Sequence, residues 1–192
     1  MIDGMNGLCS FTAISICLSI SSFIYFYDLA MDIQIVFSLI LLLSVFLLFN
    51  FPFGKIFLGD AGAYWIGWIL GSITIHIFTN DKLNSWSAVL ILFYPTMEVI
   101  FSTIRKIISR INPFYPDINH LHIKLYFLLK GPFERRPEFN SFTTLCLMPF
   151  WIGPPLTIIW IQMNSNFSYI FLLFFSFTYI LYYKAIPSIK NH

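Results

Sequence analysis

Six apolar stretches run along the chain at 8–27, 33–51, 63–78, 86–101, 142–161 and 167–183, separated by short polar segments and one long one, 102–141. Crossing a bilayer takes about 20 mostly apolar residues, fewer where the membrane thins. The pattern therefore predicts an all-α fold: a polytopic membrane helix bundle of about six transmembrane helices, in a single membrane domain over 1–192. Two stretches should not be straight. Pro95 removes a backbone donor inside the fourth, and Gly153-Pro154-Pro155 does the same in the fifth. Beyond Pro95, the residues Glu98, Ser102, Arg105 and Ser109 recur at helical spacing. Val99, Ile100, Ile104, Ile107 and Ile108 lie elsewhere on the helix. This predicts an amphipathic helix over 97–110 near the membrane interface, or else a plain continuation of the span into water.

Composition supports lipid as the solvent. The chain is 58% hydrophobic and 10% charged, with 23 Phe, whereas soluble domains carry about 25% charged residues. The net charge of +2 says little, but its distribution says more. If all six segments cross, Lys55, Arg105, Lys106, Arg110, Lys124, Lys130, Arg135, Arg136, Lys184 and Lys190 share one side. Lys82 alone lies on the other, with Asp28, Asp32 and Asp81. The excess of positive charge puts residues 1–7, the 102–141 loop and the C-terminus in the cytoplasm, with the chain in the plasma (inner) membrane. The N-terminus has no basic region of the kind a cleavable signal peptide needs. Cys9, Cys17 and Cys146 lie in apolar stretches without a CxxC pair and read as small core residues.

The same count gathers three polar clusters on the cytoplasmic side: Ile2-Asp3-Gly4, Gly59-Asp60-Ala61-Gly62 and Pro116-Asp117-Ile118-Asn119-His120-Leu121-His122. Acidic and imidazole groups on one membrane face suit a metal-assisted site for an anionic substrate. Each cluster also has a plainer reading. Asp60 precedes a helix expected to begin near Ala61 and would serve as its N-cap. Against that, Gly59 and Gly62 permit the close backbone approach of a phosphate-cradling turn, and a carboxylate there suits Mg²⁺. Asp3 reads as a cap or turn residue, with Asn6 a hydrogen-bonding neighbour. In an extended loop His120 and His122 point the same way and would face one anion, or they are incidental polar residues of a solvated loop. Zinc is weak because no Cys or further His is near. His76, within the third stretch, reads as a hydrogen-bonded interior residue. No P-loop, GxSxG or HExxH occurs, and no basic patch interleaved with aromatics points to nucleic acid.

Three segments together resemble a known family, the polyprenyl-phosphate N-acetylhexosamine-1-phosphate transferases. Phe57-Leu58-Gly59-Asp60-Ala61-Gly62-Ala63, with Gly67, resembles its F-x-G-D-[AT]-G-[SA]-x-x-x-G segment. Ile2-Asp3-Gly4-Met5-Asn6-Gly7-Leu8 resembles N-x-x-D-G-x-[DN]-G-L. Residues 112–122 resemble its S-P-F-x-P-D-x-x-H-[LI]-H loop, with Pro95, Glu98 and Arg105 on the helix before it. The resemblance implies transfer of a sugar 1-phosphate from a UDP-N-acetylhexosamine to a polyprenyl (undecaprenyl) phosphate, releasing UMP and initiating a surface glycan, with Mg²⁺ as cofactor. It implies catalytic roles for Asp3, Asp60, His120 and His122, with Asp60 on the metal, and substrate binding by Asn6, Gly59, Gly62, Asp117 and Arg105. The loop lacks the three adjacent histidines of the peptidoglycan branch, which favours a UDP-GlcNAc-like donor.

The chain departs from the family in one large respect. Relatives have ten or eleven spans and an Asp-Asp pair on a loop of their first half; no Asp-Asp occurs here. The family Asn three residues before Asp3 would fall one residue before Met1. The expectation is therefore a C-terminal half, inactive alone, whose exposed faces a second copy or a separately encoded N-terminal half would cover. Asn6 stands where an Asp is frequent, and Ile123 where many relatives have His. A non-catalytic membrane remnant or subunit of the same fold is the alternative. A transporter is a weaker one, because the motifs sit at span ends and no inverted repeat is visible.

Overall fold

The computed structural model describes residues 4–187 except 30, 32, 80–82, 113–116, 131–136 and 162–166, with the side chains of 137 and 138 also outside the description. Ten helices make up the described chain: α1 (Leu8–Phe26), α2 (Ile33–Asn50), α3 (Gly59–Phe78), α4 (Ser85–Ile91), α5 (Phe93–Ile108), α6 (Leu121–Lys130), α7 (Pro137–Cys146), α8 (Met148–Trp151), α9 (Gly153–Ile161) and α10 (Ser168–Ala185). Among the described residues there is no strand. The all-α membrane bundle expected from the pattern is what forms.

Four of these helices, α1, α2, α3 and α10, are long and apolar enough to cross a membrane. The fourth and fifth apolar stretches are broken. α4 has only seven residues, about 10 Å of helix at 1.5 Å per residue, and α5 leaves it at 85°. The break falls at Leu92, three residues before Pro95. Pro95 offers no N–H to the carbonyl of Ile91 and its ring crowds that turn, so the chain restarts as a new helix in which Pro95 sits in the first turn, where an N–H is not needed. Counted as one bent span, the pair raises the number to five. The 142–161 stretch is split at Ile152, as Gly153-Pro154-Pro155 predicts, and also at Leu147, ahead of Pro149. The six expected crossings are thus four continuous helices, one bent pair and one segment in three pieces.

α1 is the central helix: 61% of its span is buried, against 17% for α2 and for α10. It packs against α2, α9 and α3. Its buried face is unusual in carrying Ser10, Thr12, Ser15, Ser19 and Ser21. Small polar residues let helices approach closely in lipid, and here they also mend the broken helix beside them. Pro155 leaves the carbonyl of Trp151 without its usual N–H partner. Ser15 donates its hydroxyl to that oxygen at 2.7 Å, and Ser19 donates to the carbonyl of Pro155 at 2.8 Å.

Two cores lie along the bundle. One holds Ile16, Ile20, Phe23, Val36, Leu70, Ile73, Leu90 and Ile158. The other holds Met5, Leu8, Phe93, Tyr94, Leu121, Leu125, Leu147, Trp151 and Tyr183. The second core therefore joins the start of α1, the start of α5, α6 and the end of α10. Ala63 and Tyr64 of α3 share a cavity with Cys9 and Thr12 of α1, so α3 begins at this end too.

Candidate active site

α5 carries its polar stripe inward. Glu98, Ser102 and Lys106 are buried, whereas Val99, Ile100, Ile104, Ile107 and Ile108 are exposed. The amphipathic helix expected over 97–110 is present up to Ile108, with its apolar face outward and Glu98, Ser102 and Lys106 against the protein; Ser109 lies past its end and is exposed.

The loop after α5 is fastened to that polar face by Asp117. Its Oδ2 accepts from the Ser102 hydroxyl at 2.6 Å and pairs with Arg105. Its Oδ1 accepts from the backbone N–H of Asn119 at 2.9 Å. Burial alone would raise this carboxyl's pKa. The bonds from Ser102 and Asn119 and the charge of Arg105 outweigh it and hold Asp117 below the usual carboxylate value. Arg105 keeps a buried Nε without a partner.

Three residues further on, His120 and His122 converge on Glu98. The Nδ1 of His120 lies 2.8 Å from Glu98 Oε2, and the Nδ1 of His122 lies 3.5 Å from Oε1. The rings are 13° from parallel with centroids 5.5 Å apart. Tyr94 donates its hydroxyl to Glu98 Oε1 at 3.2 Å. The extended loop expected at 120–122 is not what aligns the imidazoles. His120 precedes α6 and His122 lies in its first turn, so helix geometry alone would spread them apart; the shared carboxylate brings them together. Lys124, one turn into α6, is buried, donates to the carbonyl of Tyr183 at 2.9 Å and sits 3.6 Å from the centre of that ring. Burial, then Arg105, lowers its pKa. Tyr183 in turn donates its hydroxyl to the carbonyl of Asn119 at 3.0 Å. The histidine segment is thus clamped between α5 and the end of α10.

The other expected site residues are placed differently. α3 begins at Gly59, not near Ala61, with Leu58 at the N-cap position and no side-chain cap. Asp60 is therefore in the first turn and is not the N-cap, because Gly59 takes a left-handed φ of 68° that turns the chain into the helix two residues earlier than expected. Its carboxylate is exposed. A Cβ on Gly62 would meet the Leu58 side chain at 3.1 Å. Asn6 is buried; its amide donates to the carbonyl of Pro52 at 2.8 Å and to the Ser141 hydroxyl at 3.1 Å, and its own carbonyl accepts from Thr144 at 2.8 Å. It joins the start of α1, the turn after α2 and α7. Asp3 lies outside the described residues. His76 is exposed on the last turn of α3 rather than interior. Its segment lies where α3 has little covering it, since only 28% of that span is buried.

The structure therefore brings Asp117, Arg105, His120 and His122 together and leaves Asp60 and Asn6 in separate surroundings at the same end. Among the described residues no three His, Cys, Asp or Glu side chains cluster as a metal site. The residue that joins this cluster and that sequence reasoning left out of its site is Glu98. The stripe Glu98, Ser102 and Arg105, read as a single inward face, was the signal for it.

Beside Asp60, an apolar trough follows α3. A cavity of about 450 Å³ lined by Cys9, Ala13, Ala63, Tyr64, Gly67 and Val99 shares residues with a second of about 370 Å³ reaching Gly71, Leu92 and Thr96.

Residues 1–78 match the glycosyl transferase family 4 model. The chain is 31% identical over 122 residues to the undecaprenyl-phosphate alpha-N-acetylglucosaminyl 1-phosphate transferase of Thermotoga maritima, covering 64% of this chain and 36% of that protein. It is 28% identical over 151 residues to the enzyme of the same name from Haemophilus influenzae, covering 74% and 41%. It is 26% identical over 173 residues to the decaprenyl-phosphate N-acetylglucosaminephosphotransferase of Mycobacterium leprae, covering 79% and 41%. The chain thus spans about two fifths of the length of these relatives. No solved structure matches it. With the family match at its N-terminal segments and transferase relatives over much of its length, this helical membrane protein is similar to glycosyl transferase family 4.

Proposed function

We propose that this chain provides the donor-diphosphate side of an enzyme that transfers N-acetylhexosamine 1-phosphate from a UDP-sugar to a polyprenyl phosphate at the cytoplasmic membrane face. The observation that carries this reading is the pair of near-parallel imidazoles facing Glu98, on the segment that Asp117 fastens to Arg105, in a chain whose relatives are named for such a transfer. An oxygen of the lipid phosphate attacks the sugar-bearing phosphorus. The bond from that phosphorus to the bridging oxygen breaks, and UMP leaves with the electron pair. Both reactants are anions, so the work of the protein is positioning and charge stabilisation. His120 and His122 would donate to diphosphate oxygens, and Arg105, with its unpartnered Nε, would add a further donor. The loop fixed by Asp117 keeps these groups from rearranging as charge moves.

Asp60 fits Mg²⁺. Glu98 and Asp117 spend their oxygens on internal partners, whereas the Asp60 carboxylate is exposed, and Mg²⁺ needs only one or two carboxylates besides substrate phosphates. The ion would supply charge neutralisation at the diphosphate. Gly59 and Gly62 flank that turn and would admit phosphate close to the backbone. Asn6, internally bonded, would set the height of the N-terminal segment that carries Asp3. The apolar trough starting one turn beyond Asp60 suits an isoprenoid tail lying alongside the phosphate it carries.

The test is transfer of radiolabelled GlcNAc 1-phosphate from UDP-GlcNAc to undecaprenyl phosphate in membranes, with and without EDTA. The 192-residue chain alone is expected to be inactive, since it contains no Asp-Asp pair; turnover should appear when the half of a relative that carries that pair is supplied. Such turnover should be abolished by EDTA and restored by Mg²⁺. Turnover that is indifferent to EDTA and to Asp60→Asn would refute the assignment.

A further inference from the structure

Glu98 is 2% exposed, in the middle of a helix that otherwise turns isoleucines outward. A buried carboxylate is costly unless its oxygens are bonded. Here each oxygen faces one imidazole: Oε2 the Nδ1 of His120 and Oε1 the Nδ1 of His122. Tyr94 adds its hydroxyl to Oε1. Asp117, the other carboxylate of this cluster, is taken up by Ser102, Arg105 and the Asn119 N–H, and Lys124 by Tyr183. No other acidic group among the described residues is within ion-pair range of either ring.

We propose that Glu98 is a positioning residue which holds the Nδ1 proton of both His120 and His122, so that the two Nε2 atoms are turned away from α5 together as the acting pair. The physical reason is the tautomer. An ionised carboxylate only accepts, so any ring nitrogen facing it must carry the proton. One carboxylate with two oxygens therefore settles both rings. The near-parallel rings follow from sharing it. A ring that takes a proton at Nε2 has the Glu98 carboxylate opposite its other nitrogen as counter-charge. Each Nε2 can thus become a donor when an anion is opposite. The Nδ1 of His122 is a sealed atom without a full hydrogen bond, and Glu98 Oε1 at 3.5 Å is the carboxylate oxygen it faces.

That the anion is a sugar-nucleotide diphosphate rests on the function proposed above; the tautomer assignment does not. The experiment is ¹⁵N NMR of histidine-labelled full chain in lipid nanodiscs. His76→Gln and His192→Gln together leave only the two rings in question. At a pH near 8, both rings should show a protonated Nδ1. In E98Q, whose amide can donate as well as accept, at least one ring should move to the Nε2–H form, while Glu98→Asp should keep Nδ1–H. Rings with bare Nδ1 in the parent chain, or an E98Q spectrum unchanged in a folded protein, would overturn the assignment. Should E98Q not fold, the parent spectrum and E98D decide it. Correct tautomers in a protein that never engages a UDP-sugar would leave the positioning intact and sink only the transferase reading.

Discussion

Asp117 and Asp60 illustrate how differently two carboxylates of one chain are used. Asp117 is a fastener, with a hydroxyl, a guanidinium and a backbone N–H on its oxygens. Its carboxyl titrates below the ordinary value, so the folded state binds fewer protons there than the unfolded one. The stability it lends is in full force above the unfolded-state pKa of about 3.9 and fades as pH falls through the lower folded value. The melting temperature of Asp117→Asn in detergent should therefore lie below that of the parent by a constant amount from pH 7 to 5. The gap should close below about pH 4. At neutral pH, losing charged hydrogen bonds of this kind costs about 1.5–3 kcal/mol. Among the described residues Asp60 has no such bonded partners, and it is exposed. Its replacement by Asn should leave thermal stability within about 0.5 kcal/mol, as for other exposed sites. In the assembled enzyme it should cost about 10²-fold or more in Mg²⁺-dependent transfer, measured by the radiolabel assay. His120 and His122 were legible as a candidate pair from their spacing. Glu98 was legible only as part of a stripe, because nothing local says which way a stripe faces.

At the scale of the element, turns and breaks decide where the side chains stand. Gly7 has φ 78°, and a Cβ there would lie 2.8 Å from the Phe11 ring and 2.9 Å from Phe51. Gly7→Ala should destabilise by about 1–3 kcal/mol, read as a lowered melting temperature. Gly67→Ala, in open space on α3, should be neutral or slightly stabilising, since Ala is the better helix former by about 1 kcal/mol. Ser15→Ala should remove the hydroxyl that serves the Trp151 carbonyl freed by Pro155, at about 1–3 kcal/mol for an orphaned buried acceptor. Proline positions foretold the breaks of α4–α5 and α8–α9. The start of α3 at Gly59 was missed by two residues, because a left-handed glycine can begin a helix without any capping side chain.

For the whole molecule, the motif-bearing segments stand at one end of the bundle: Asn6 bonds the turn at Pro52 and Ser141, Tyr183 bonds Asn119, and Met5, Leu121 and Tyr183 share one core. Single cysteines placed at Lys55, Ile118 and Lys184, all exposed, in a background without the native Cys9, Cys17 and Cys146, should react with an impermeant maleimide from the cytoplasmic side only. One at Trp160, 81% exposed, should not. Labelling of Lys55 and Ile118 from opposite sides would dismantle the topology.

Sequence alone determined the helical membrane class, the polar segments, the broken helices and the family resemblance. These follow from solvent preference, proline chemistry and local motifs, which act over a few residues. The tertiary structure decided that the polar stripe of α5 faces inward, that Glu98 gathers both imidazoles, and that Asn6 is a strut. Such facts depend on which helix faces which, and that is set by packing between segments far apart in the chain.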